Sequence, residues 1–141
     1  MNYIDRDDLG LFCAFIERVT VTFNLTRTIK FDIIRPVDLS EAKLRYNKGT
    51  LTFKNVIQSD IKLKNERHEY PEFHRSAILD RSDLLTTTIE SKGTDKENYK
   101  DYYMLIDHGN SQNSYHIICG THELIIENNP KHLKEYDGFL E

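Results

Sequence analysis

The chain has 141 residues, a formal net charge of −4, 38% apolar, 30% charged and 11% aromatic residues. That length predicts one domain, residues 1–141, with a modest core and a well-solvated surface, and the aromatic content argues against disorder. The mild acidity disfavours nonspecific nucleic-acid binding, no run approaches a membrane-spanning length, and no basic flank followed by an apolar stretch predicts a secretory signal, so a cytoplasmic protein is expected.

Residues 1–10 are polar, with Asp5, Asp7 and Asp8 close together but without the loop pattern of a calcium site. Leu11 to Glu17 is a short apolar run read as strand. Val19 to Thr26 alternates cleanly, Val19, Val21, Phe23 and Leu25 against Thr20, Thr22, Asn24 and Thr26. This predicts a half-buried antiparallel strand. Ile29, Phe31 and Ile33 repeat the pattern until Pro36, which has no N–H to give a ladder. A loop or single helical turn is expected over Asp38 to Glu41. A hairpin is expected around Asn47-Lys48-Gly49, with Leu44, Tyr46, Leu51 and Phe53 on its buried face, then a further strand from Ile57 to Leu63.

Lys64 to Arg75, KNERHEYPEFHR, breaks the alternation and predicts a charged loop. The segment 76–85 is ambiguous. Leu85 to Ser91 reads as strand because of its three threonines. Beyond a polar loop, Tyr102 to Glu127 predicts a three-stranded meander, turning at Gly109 to Asn113 and again at Gly120-Thr121. In that register His108 opposes Ser114, Ile106 opposes His116, and Cys119 opposes His122. Asn128-Asn129-Pro130 ends the sheet, and a helical turn is expected over Lys131 to Tyr136. The spacing predicts a mainly β, antiparallel sandwich or partly open barrel of about eight to ten strands with one or two short helices.

No residue set carries a catalytic signature. There is no G-x-S-x-G, no glycine-rich phosphate loop, and the Asp80 and Asp83 pair is of a kind common in any sequence. The predicted register puts His108 and His116 on one face and His122 on the other. No metal site is expected from them, and no cofactor is implied. A pairing of Cys119 with His116 or His122 reads as packing rather than nucleophilic chemistry. Cys13 and Cys119 are expected as buried, reduced thiols. The sharpest binding candidate is the charged loop, where Glu66, Glu69, Tyr70, Glu72 and Phe73 combine carboxylates with aromatic anchors. In the alternative reading the loop is solvated and Tyr70 and Phe73 cap the core.

The stretch AKLRYNKGTLTFKNVIQSDIKL, together with YHIICGTHELIIE, resembles small β-rich immunity proteins of bacterial polymorphic toxin systems. The match is a hydrophobic cadence over about a third of the chain, without a fixed motif that assigns site residues. The resemblance implies a cytosolic, non-enzymatic protein that binds and neutralises one protein partner, a toxin among the candidates, with no role for nucleic acid or membrane. The competing expectation is a small-molecule-binding protein or hydrolase with a pocket between its sheets.

Overall fold

The computed structural model describes residues 5–23, 25–37, 45–61, 71–109 and 111–132. In chain order these form β1 (Phe15–Phe23), β2 (Arg27–Pro36), β3 (Arg45–Ser59), β4 (Glu72–Leu79), α1 (Asp83–Lys92), a single 3-10 turn (Lys96–Asn98), β5 (Lys100–His108), β6 (Ser111–Ile126) and the two-residue β7 (Lys131–His132). The strands make one antiparallel sheet in the order β2-β1-β4-β5-β6-β3-β7, and β2 also pairs with β3. Six strands therefore close into a ring, with β7 appended to the start of β3.

The mainly β, antiparallel character matches the alternation in the sequence. The strand count and the sandwich do not. Asn47-Lys48-Gly49 is no turn, because β3 runs straight through it and Gly49 pairs with Ile33 on one side and Ile126 on the other. A Cβ on Gly49 would lie 2.5 Å from Ile126 Cδ1 and 2.7 Å from the Ile125 carbonyl oxygen. That glycine serves a close approach of strands, not a reversal. Gly120-Thr121 is likewise internal to β6. The first half of β6 pairs with β5 and its second half with β3, so one long strand replaces two short ones. The real reversal lies between His108 and Ser111, which oppose each other, with Gly109 at φ 62°. The register thus moves by three residues from the expected one, and an odd shift exchanges the faces.

Leu85 to Ser91 is helical, not extended. Ser82 Oγ accepts the Leu85 N–H at 3.0 Å as N-cap, and Gly93 closes the helix at φ 65°. Leu85, Thr88 and Ile89, at helical spacing, are the buried positions. The threonine-based strand propensity is overridden by two caps and a sheet face that needs cover. Lys131–His132 pairs with Arg45–Tyr46 as strand instead of starting a helical turn; the rest of that turn, Leu44, Leu63 and the loop over 38–41 lie outside the described residues.

The ring is filled, not hollow. Ile29, Phe31 and Ile33 of β2, Leu51 and Phe53 of β3, Phe73 of β4, Met104 and Ile106 of β5, and Ile117 and Cys119 of β6 form one buried cluster. The expected inward row of β2 is as the alternation predicts, and β2 ends at Pro36. On β3 the inward row passes from Gly49, Leu51 and Phe53 to Val56, across Asn55 at φ 58°, and the register with β6 shifts just beyond, between Val56 and Gln58. That is the mark of a bulge.

Between β1 and β4 the ladder is brief. Phe15 opposes Glu72, and short backbone bonds join Ile16 to Pro71, Ala14 to Phe73 and Cys13 to Phe73. Residues 6–14 run along the far stretch of β4, and their Leu9, Leu11 and Ala14 enter the core. The N-terminal carboxylates hold this segment: Asp7 Oδ1 accepts the Leu11 N–H and Asp8 Oδ2 the Ile78 N–H.

Candidate functional site

Of the expected partner-binding residues, Glu66, Glu69 and Tyr70 lie outside the described residues. Phe73 is 1% exposed and packs on Phe31 with ring centroids 6.0 Å apart. It is a core residue rather than a surface anchor, because strand β4 already begins at Glu72 and turns position 73 inward. Glu72 is half-buried, directly opposite Asp107 on β5, and accepts a hydrogen bond from the Cys13 thiol. Cys13 sits just before β1 at φ 67°, with its thiol pushed up to about 11 by burial and then by Glu72. Both cysteines are free.

The histidines divide differently from the expected register. His116 opposes Tyr103 on the outer face, while Met104, Ile106, Tyr115 and Ile117 face inward. By the same alternation His108 is on the inner parity, so His108 and His116 do not share a face. His122 Nδ1 is hydrogen-bonded to the hydroxyl of buried Tyr102 at 2.9 Å. Among the described residues no group of three or more His, Cys, Asp or Glu side chains is arranged to hold a metal ion.

Asp101 is the one charged side chain that is buried among the described residues. It is 0% exposed, on the outer face of β5 beneath the start of α1. Ser82 Oγ donates to its Oδ2 at 2.7 Å, and its Oδ1 lies 2.7 Å from His116 Nδ1. Asp60, exposed beyond the end of β3, accepts the His116 backbone N–H at 2.5 Å. The hydrogen bond to Asp101 raises the His116 pKa above the usual imidazole value, against the opposing effect of burial, and the charges of Asp101 and Asp60 add to the rise. The residue types are those of a Ser-His-Asp triad, but the order is not. In a triad the imidazole stands between hydroxyl and carboxylate and takes the hydroxyl proton. Here the carboxylate stands between them, and the Ser82 hydroxyl both donates to Asp101 and caps α1. That hydroxyl is a structural link, with no base placed to activate it.

Two surfaces stand out among the described residues. A groove of about 330 Å³ crosses the outer face of β1, β2, β3 and β6, lined by Glu17, Arg18, Asp32, Lys48, Thr50 and Ile125 among others. Its charges pair internally, Arg18 Nε with Asp32 at 2.9 Å and Lys48 with Glu17 at 4.0 Å. The second surface is apolar. Val21 is 41% exposed, Phe23 73% and Leu25 fully, all at the β1–β2 hairpin. The alternation predicted that these side chains would be buried like Val19. Val19 does pack on the core, but further along β1 the row outruns it. Arg27 places its guanidinium 5.5 Å from the Phe23 ring and donates to Ser59 Oγ at 3.0 Å. This holds the exposed ring in place at a gain of about 0.5–1 kcal/mol.

Comparison with protein-family models, with curated proteins and with solved structures finds no significant match.

Proposed function

We propose that this chain is a protein-binding domain, of the inhibitor or immunity type, that engages its partner through the β1–β2 hairpin. The observation that carries this reading is the exposed row Val21, Phe23 and Leu25. Scattered single apolar residues on a surface need no explanation, but three at alternate positions of one hairpin form a patch suited to an interface. Phe23, fixed by Arg27, is the type of rigid aromatic that anchors such contacts. Glu72, with its facing Asp107, is the described acidic member of the loop set and supplies negative charge on a different part of the ring. Complementary charge of that kind speeds encounter more than it adds affinity.

The competing reading, a ligand pocket between sheets, has less support. The strands form a single ring whose interior is occupied by Phe31, Phe53, Phe73 and their neighbours. The groove over β1 and β2 opens outward instead.

The test is retrieval of a partner from native lysate, followed by reconstitution of the purified pair. The double variant Phe23→Ser with Leu25→Ser, checked as folded by circular dichroism, is expected to weaken the reconstituted complex by at least about tenfold. If no protein forms a stoichiometric complex with the wild-type chain, the binding role is wrong. If the complex survives both substitutions, the hairpin is not the site.

A further inference from the structure

We propose that the outer edge of β1 takes up an extended, acidic segment of the partner protein as an added strand of the sheet. This rests on the protein-binding reading above and specifies the chemistry of its hairpin site. The ring closes between β1 and β4 only at its base, where Phe15 opposes Glu72 and the Ile16 N–H donates to the Pro71 carbonyl. From Arg18 to Phe23, β1 pairs with β2 alone among the described residues. Its other edge faces no described strand, and such a row of backbone donors and acceptors is a template for pairing.

The ladder fixes which residues own that edge. In an antiparallel pair, opposed residues alternate between those that exchange both backbone bonds and those that exchange none. Ile16 turns its N–H away from β2, so its pair with Ile33 is of the second kind. A separate observation agrees. The Glu127 N–H donates to the Lys48 carbonyl, so Lys48 faces β6 and its neighbour Gly49 faces β2. Gly49 opposes Ile33, which therefore turns to β3. Alternation along β2 then turns Asp32, Lys30 and Thr28 toward β1, where they oppose Arg18, Thr20 and Thr22. The N–H and C=O groups of Val19, Val21 and Phe23 are left aimed at the open edge. These same residues carry the apolar row, Val19 against the core and Val21 and Phe23 exposed.

Backbone groups repeating every second residue match another extended backbone. Side chains select among extended segments. Beside Val21 and Phe23, the added strand needs apolar residues at alternate positions. On its other face it meets Arg18, Thr20 and Thr22, of which Arg18 is well exposed. From Arg18 to Asp32 the hairpin carries Arg18, Arg27 and Lys30 against the single carboxylate of Asp32, in a chain of net charge −4. Carboxylates on the second face of the added strand complement this basic stretch. A second copy of the chain would instead set two basic hairpins side by side.

Amide hydrogen exchange of the full chain, read residue by residue, tests the proposal. In the free chain Val19, Val21 and Phe23 are expected to exchange readily while Arg18, Thr20 and Thr22 are protected. Protection of all six would show the edge already filled and would overturn it. The probe is a synthetic peptide of alternating valine and glutamate, about seven residues long. At millimolar concentration it is expected to slow exchange at Val19, Val21 and Phe23 at least about tenfold, and a valine–lysine peptide is not. No protection by the glutamate peptide, or equal protection by both, overturns the acidic strand. Val21→Pro removes an outward N–H and leaves the β1–β2 bonds intact, so it is expected to abolish the effect. Should that variant not fold, the wild-type protection pattern decides. In the reconstituted complex, Val21→Pro is expected to weaken binding as Phe23→Ser with Leu25→Ser does. If only the serine pair weakens it, the hairpin remains the site and strand addition alone is wrong, whereas the absence of any stoichiometric complex overturns both readings. A free chain that dimerises in sedimentation equilibrium, with the dimer lost in Val21→Pro, would give the edge to a second copy and overturn the partner strand.

Discussion

The Tyr102 hydroxyl, buried inside the ring, is hydrogen-bonded to Nδ1 of His122 near the surface at 2.9 Å. Desolvation, and then the charge of Lys100, lower the His122 pKa. A depressed histidine contributes stability above its free value of about 6.5 and loses it as pH falls through the folded value. His116 has the opposite sign. Nuclear magnetic resonance titration is therefore expected to place the two imidazoles on opposite sides of that value. Tyr102→Phe is expected to cost about 0.5–1.5 kcal/mol of stability. Titration of His122 at or above the free value in the wild-type chain would contradict this account.

Two phenylalanines should behave in opposite ways. Phe73 is enclosed by the core, whereas Phe23 is mostly exposed. Phe73→Ala is expected to cost about 3–5 kcal/mol in chemical denaturation. Phe23→Ala is expected to cost under about 1 kcal/mol, chiefly the contact with Arg27. Equal losses would mean that one of the two is misplaced relative to the core.

The Cys13 thiol, pushed up to about 11 by burial and by its bond to Glu72, is mostly protonated at neutral pH. Because alkylation proceeds through the thiolate, its rate at pH 7.5 is expected to be about a hundredfold below that of a thiol at the reference value of 9.0. Glu72→Gln is expected to speed the reaction. Cys119, fully buried and pushed to about 12, should remain unlabelled in the native chain. Mass spectrometry after timed alkylation reads both sites, and a Cys13 that reacts like an exposed thiol would refute the proposed bond.

The sequence by itself determined β2 and its inward row of Ile29, Phe31 and Ile33, the stop at Pro36, and the strand character around Tyr102 to His108. These features are legible because alternation and a missing N–H act within a few residues. Ser82 and Gly93, the caps of α1, were also present to be read, but three threonines of high strand propensity outweighed them. What only the tertiary structure decided is which glycines turn. Gly49, Gly109 and Gly120 look alike in sequence, yet only Gly109 reverses the chain. Gly49 is required by the approach of Ile125 and Ile126, 76 and 77 residues distant, and β6 passes through Gly120 because β3 is there to receive its second half. The register of β5 on β6 followed from that choice, and the register in turn brought Asp101 to His116. Such pairings depend on contacts between distant segments, which local propensity does not encode, and a shift of one odd step sends every side chain to the other face.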